Sequence, residues 1–433
     1  MEIKRDVYLD RLIVRKHNGL IKVITGIRRS GKSYLLNTLF YRHLIAENIS
    51  EDHIIKFAFD SAEDLLKIGE DPIVLDNEKE DRKVDPSKFI NWLMPQIKGG
   101  DMYYLLLDEV QKLGAFESIL NGFLRRENLD VYVTGSNSKF LSKDILTEFR
   151  GRGDEVHVLP LSFSEYYAFK QGDKSEAYDD YSVYGGLPAV ALMVTEEQKT
   201  NYLISQMQNL YLRDIVNRYA VQDETALGKV IDVIASGIST LTNPRKIANT
   251  MNTIHGTKTC DATVDRYIGY AEEAFILTRV KRYNVKGRKY IGTPYKIYFE
   301  DVGLRNVRLS FRQIEGTHMM ENIIYNELRY RGYQVDVGTV ESREKDSSGK
   351  EIRVQREIDF IASLGSKKYY IQSAYAIPDQ EKYEQETKSF EHTMDSFKKI
   401  IIIEKSMKPR YDEHGYLMMG VKEFLLDANS LLI

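Results

Sequence analysis

The apolar positions of the chain follow two regimes. Through the first 160 residues, short runs that are apolar at nearly every position alternate with longer mixed stretches. The runs are "LIKVIT" (20–25), "HIIKFAF" (53–59), "YYLLLD" (103–108), "VYVTGS" (131–136) and "EVHVLPL" (155–161). A strand apolar on both faces belongs to a parallel sheet covered by helices on either side. The pattern therefore predicts an α/β, doubly wound domain. Residues 70–86, "EDPIVLDNEKEDRKVDP", are acidic and punctuated by proline, and read as a surface loop.

Beyond residue 160 the period changes. Residues 162–225 are helix-like, with a break at "YGGLP" (184–188). Residues 243–277 give two helical segments joined by a polar turn, and "TRVKRYNVKGRKYIGTPYKIYFED" gives alternating strands around Lys286-Gly287. Two helices followed by a β-ribbon is the order of a winged helix. An amphipathic helix, "MMENIIYNELRYRGY" (319–333), opens the last part. Strands "EIDFIAS" (357–363), "KKYYIQSAY" (367–375) and "KIIIIEK" (399–405) follow, and "REKDSSGKE" (343–351) reads as a polar loop or hairpin tip. The expected organisation is a multidomain α/β chain: a parallel-sheet core over 1–165, a helical lid or connector over 166–225, a winged helix over 226–312, and an α+β tail over 313–433.

Composition narrows the function classes. At 433 residues the chain exceeds what one core usually supports. A formal net charge of −3 provides no global basic field to advertise nucleic acid, although a local patch is compatible with it. The single cysteine, Cys260, excludes a disulfide framework or a thiolate metal site within one chain. The N-terminal "MEIKRDVYLDRLIVRK" lacks the apolar stretch of a secretory signal, and no segment approaches the ~18 apolar residues of a membrane span. The expectation is a cytoplasmic protein without a membrane partner.

The chemistry is concentrated in "GIRRSGKS" (26–33), which matches G-x-x-x-x-G-K-[ST] between a strand and a helix-forming stretch. Such a loop cradles phosphates with main-chain N–H groups, and here it comprises Gly26, Ile27, Arg28, Arg29, Ser30, Gly31, Lys32, Ser33 and Tyr34. Lys32 is placed to reach the β and γ phosphates, and Ser33 Oγ to ligate Mg²⁺. "YYLLLDEVQ" ends in Asp108, suited to Mg²⁺ directly or through water, and Glu109, suited to polarising an attacking water. A true site requires Asp108 to face the loop across the metal. The next strand ends in "VTGSNS", where Thr134, Ser136 or Asn137 could hold that water. "TEFRGRGDE" presents Arg150 and Arg152, either of which could neutralise transition-state charge in cis or across a subunit boundary.

Together "GIRRSGKS", "LLLDEVQ", "VTGSNSKFLS", "FRGR" and "LPLSFSEY" resemble the prokaryotic AAA-type ATP-binding proteins. That family carries an uncharacterised C-terminal region with a restriction-endonuclease-like fold. "YGGLPAV", "LYLRDIV", "PRKIANTMN", "YFEDVGLRN", "MENIIYNELRYRGY" and "EIDF" extend the likeness over essentially the whole chain. The resemblance implies a Mg²⁺-dependent ATPase. It also makes Gly186-Leu187-Pro188 similar to the Gly-x-Pro turn by which lid helices contact nucleotide. Residues 321–375 can be laid on the PD-(D/E)xK nuclease plan, with Glu321 on the helix and Asp359 on a strand. The third element reads Gln372-Ser373-Ala374, which lacks both acid and amine. Lys368 lies four residues upstream, about 13 Å away along a strand, too far to substitute. The tail is therefore expected to be a degenerate fold retained for binding.

Basic residues suggest what it binds. Arg245, Lys246, Lys258 and Arg266 lie in the helical pair, and Arg279, Lys281, Arg282, Lys286, Arg288 and Lys289 interleave with Tyr283 and Tyr290 in the ribbon. Such a ribbon could track a phosphate backbone. The function expected is an ATP-driven switch controlling a DNA or protein partner, with self-association open. The alternatives are a nucleotide-bound scaffold with little turnover and an ATP-dependent nuclease.

Overall fold

A computed structural model describes residues 2–75, 82–135, 151–256, 258–345 and 350–433. The chain forms two compact units, one comprising Ile3–Leu159 with Glu273–Phe275, the other Pro160–Glu272 with Ile276–Ile433.

The first unit is built on five parallel strands, β1 (Ile21–Thr25), β2 (Ile54–Ala58), β3 (Tyr103–Asp108), β4 (Leu129–Thr134) and β5 (Gly153–His157), in the order β2-β3-β4-β1-β5. β1 and β3 are buried at every position, as runs apolar on both faces require. β5 starts two residues before its expected position and stops at His157. The apolar run continues as Val158-Leu159, but Pro160 cannot donate to a ladder. The parallel register pairs Ala58 with Asp108, Ile24 with Thr134 and Thr25 with His157. The chemistry-bearing ends of β1, β3 and β4 therefore lie along one edge of the sheet. The helix after the first loop begins at Lys32–Tyr34, runs through a π-helical stretch, Leu35–Phe40, and ends as Tyr41–Ala46. It buries Leu35, Leu36, Phe40 and Leu44, with Phe40 against Tyr132 at 4.5 Å between ring centroids. A second core gathers Phe57, Phe59, Phe89 and Leu105.

The second unit opens with helices Phe163–Lys170, Lys174–Tyr184, Pro188–Leu192 and Glu196–Ser205, the first started by a Ser162–Glu165 capping box. Helices Glu224–Ser236, Pro244–His255 and Asp261–Glu273 precede the ribbon β6 (Leu277–Asn284) and β7 (Lys289–Phe299). Then come helix Gly316–Tyr330 and strands β8 (Gln334–Lys345), β9 (Glu351–Leu364), β10 (Lys367–Ala374), β11 (Lys398–Ile403), β12 (Arg410–Tyr411) and β13 (Leu417–Gly420). These strands form one eight-stranded sheet, ordered β12-β13-β11-β10-β9-β8-β6-β7. β6 pairs in parallel with β8 through Arg282–Val337, Tyr283–Gly338 and Asn284–Thr339. The ribbon thus continues the tail's sheet, and the 312/313 boundary expected from sequence falls inside one compact unit.

Candidate functional site

The phosphate loop leaves β1 at Thr25. Gly26 has φ 131°, and a Cβ there would stand 2.2 Å from the Val158 carbonyl oxygen. Only glycine fits this approach to the chain leaving β5. Arg29 (φ 66°) and Gly31 (φ 94°) complete the reversal into the helix. The Lys32 ammonium, 6% exposed, lies within the curl and donates to the carbonyls of Gly26 and Ile27, both at 2.9 Å. Arg28 is half-buried, whereas Arg29, Ser33 and Tyr34 are exposed.

Asp108 meets this loop across the sheet edge. Its carboxylate accepts from the Thr134 hydroxyl, from Asn37 Nδ2 at 3.2 Å and from the Ser33 hydroxyl. Burial pushes the Asp108 carboxyl above its ordinary range. The hydroxyls of Thr134 and Ser33 oppose that shift, and the charges of Glu109 and Asp60 add to it. Glu109 sits in the left-handed region (φ 51°); its N–H donates to Thr134 Oγ1 at 3.1 Å and its carboxylate accepts from Gln111. Thr134 thereby joins the two acids, the place sequence left open among three residues. Ser136, Asn137 and Arg150 lie outside the described residues.

Arg152 is placed differently. Its carbonyl accepts from the N–H of Ile21, at the start of β1, and Ile21 pairs with Gly153 while Thr25 pairs with His157. Five residues, about 16 Å along the strand, separate Arg152 from His157 at the loop edge, more than an arginine side chain spans. Of the two alternatives for Arg152, this register favours action across a subunit boundary over action in cis.

Two supports escaped sequence reading. Arg5, 3% exposed, donates to the Ser30 carbonyl at 3.2 Å and the Leu159 carbonyl at 2.6 Å, clamping the loop to the exit of β5. Asn37 lies one helical turn beyond Ser33, the spacing that brings both onto Asp108. Arg5 carries no sequence signal; the i, i+4 spacing of Asn37 was available.

The other expected residues lie in the second unit. Pro188 opens the helix Pro188–Leu192. The turn before it is held by Asp301, which accepts from the Gly186 N–H at 2.7 Å, and a Cβ on Gly185 would strike the same carboxylate. Glu321 and Asp359 converge on Lys296 of β7. Gln372 bonds Glu386 at 3.0 Å. Lys368 lies over the rings of Tyr283 and Phe397 instead.

The basic ribbon is partly neutralised. Arg282 is buried and donates to the Pro294 carbonyl at 2.9 Å and to Gln355 at 3.2 Å, so it is not a surface contact. Arg279 pairs with Asp265 and Glu272, each at 2.5 Å. Helix Asp261–Glu273 exposes Asp261, Asp265 and Glu273 beside Arg266, an acidic face. Lys281 and, at the tip, Lys286, Arg288 and Lys289 are exposed.

A phosphate loop on a parallel sheet, with a carboxylate from the neighbouring edge, defines a P-loop nucleotide-binding protein of the AAA type, and residues 18–167 match the family model described as an AAA domain. Residues 175–315 match a domain of unknown function. The chain is 34% identical over 410 residues to an uncharacterized protein of Haemophilus influenzae, spanning 93% of this chain and 94% of that one, and it belongs to the same family. It is 26% identical to the uncharacterized protein MJ1544 of Methanocaldococcus jannaschii, over 98% of this chain and 89% of that one. Among solved structures it is similar to the Aeropyrum pernix ORC2 protein at 12% identity and a TM-score of 0.33, over 63% of this chain and 84% of that chain. Among the described residues no helix is long and apolar enough to cross a membrane.

Proposed function

We propose that the chain is a Mg²⁺-dependent ATP hydrolase whose nucleotide cycle controls the affinity of its second unit for a partner. The contact that carries this reading is Ser33 on Asp108, beside the loop that encloses Lys32. Hydroxyl and carboxylate oxygens are the ligands magnesium favours, and burial has already destabilised the Asp108 charge. When bound, the metal, held by Ser33 and Asp108, would supply positive charge to offset the negative charge of the phosphates. Lys32 would turn from its carbonyls to those phosphates, and main-chain amides of the loop would bind the remaining oxygens. Glu109, held by Thr134 and Gln111, would orient the attacking water. An arginine for the transition state would come from Arg150, or from Arg152 of a second chain.

The partner proposed is DNA or protein, met through the exposed ribbon tip at Lys286, Arg288 and Lys289. The winged-helix order of the three helices and the ribbon supports this, as does an isolated bridge between Thr242 and Tyr295 that supplies the first short strand. The acidic face of helix Asp261–Glu273 weighs against that helix entering a DNA groove. Phosphate release with and without DNA is the test. Turnover that DNA stimulates and Glu109→Gln abolishes supports the reading, and nucleotide bound without release in the wild type refutes it.

A further inference from the structure

Outside the nucleotide site, the second unit buries a lysine among acids. Lys296, on β7 and 3% exposed, places Nζ 2.8 Å from Glu321 Oε1, 2.7 Å from Glu357 Oε1 and 3.3 Å from Asp359 Oδ1. An ammonium has three N–H donors, so each finds its own carboxylate. Two further bonds hold the acids, one of them on the same Glu321 oxygen that Lys296 contacts. Glu321 takes a bond from the Tyr298 hydroxyl at 2.6 Å, and Asp359 Oδ2 takes one from the Ser373 N–H at 2.9 Å. Burial alone would favour the neutral amine, but the three acids outweigh it and hold the Lys296 pKa well above its ordinary value.

These acids come from a helix and from β9, where the nuclease plan puts its metal-binding carboxylates. All three carboxylates bond the ammonium at 2.7–3.3 Å, so a divalent ion could reach them only by displacing Lys296. A lysine serving hydrolysis would keep a donor for water or phosphate; here all three are spent on acids. The third nuclease position is neutral Gln372, and with Lys296 in place no group of three His, Cys, Asp or Glu side chains among the described residues is arranged to hold a metal.

We propose that Lys296 is the resident cation of this site: its ammonium occupies the place of a divalent metal, so the tail takes up no Mg²⁺ and cleaves no phosphodiester, and removing its charge opens a latent divalent-cation site.

The test uses full-length chain carrying Asp108→Asn, which silences the other metal position, with Mn²⁺ followed by electron paramagnetic resonance and no nucleotide present. The parent chain is expected to bind no Mn²⁺ at millimolar concentration. Adding Lys296→Met should create one site, and adding Asp359→Asn as well should remove it. A parent chain that binds Mn²⁺ and loses it on Asp359→Asn overturns the proposal. So does a folded Lys296→Met chain that binds none, or wild-type nicking of plasmid that requires Asp359, which would make Lys296 a nuclease's lysine. Should Lys296→Met fail to fold, the parent and its Asp359→Asn form still decide whether the native cluster takes metal.

Discussion

Lys32 and Lys296 are buried almost equally, at 6% and 3% exposure, yet their surroundings are opposite. Lys32 donates to two main-chain carbonyls, which carry no full charge. Asp108, the acid across from it, is held by two hydroxyls and an amide. In the second unit the lysine and the acids are pressed together. The same residue types thus take mainly neutral hydrogen-bond partners at the phosphate loop and directly paired charges in the second unit.

Lys32→Ala should break the first half of this contrast outright, abolishing ATP binding in a calorimetric titration; retained affinity would show that the loop is not the phosphate site. Glu109→Gln should leave binding intact while lowering phosphate release about 100-fold or more, since a positioned base contributes on that order. Gly26→Ala would drive its Cβ into the Val158 carbonyl. A cost of about 1–3 kcal/mol in denaturant unfolding and a weaker ATP site are expected.

The closed cluster should show itself through pH. Burial, and to a smaller degree the charge of Asp359, push Glu321 up to about 7, against the pull of Lys296 and Tyr298. A carboxyl whose folded pKa lies above its unfolded value binds more protons when folded. Stability from this group is greatest below the unfolded pKa and is lost as pH rises toward 7. The melting temperature should fall across that window, and Glu321→Gln should flatten the slope; an unchanged slope would remove Glu321 from the account. The smallest effect is expected from Arg152→Ala, which should leave phosphate release unaltered in dilute, monomeric protein and reduce it only where turnover rises with protein concentration.

The parallel sheet and its loop were legible because uninterrupted apolar runs have few other structural uses, and because the loop's glycines and lysine are fixed by phosphate chemistry. Thr134 was within reach as one of three candidates at a strand end. Arg5 was not: it acts through backbone carbonyls distant in sequence, and such contacts leave no spacing to read. Lys296 was hidden for a related reason. It sits in "GTPYKIYFED", 25 residues before Glu321 and 63 before Asp359, and strand order alone brings them together. The joining of ribbon and tail in one sheet was not legible because β8, "QVDVGTVESREK", is too polar to stand out as a strand.

That junction bears on how the chain can be dissected. A fragment ending near residue 312 would lose β8 and bare the backbone of β6 from Arg282 to Asn284, while leaving Lys296 without the acids it binds. An unpaired edge beside a stranded buried cation invites aggregation. Fragments that keep residues 160–433 whole preserve both pairings, and deletion mapping of partner binding should start from them.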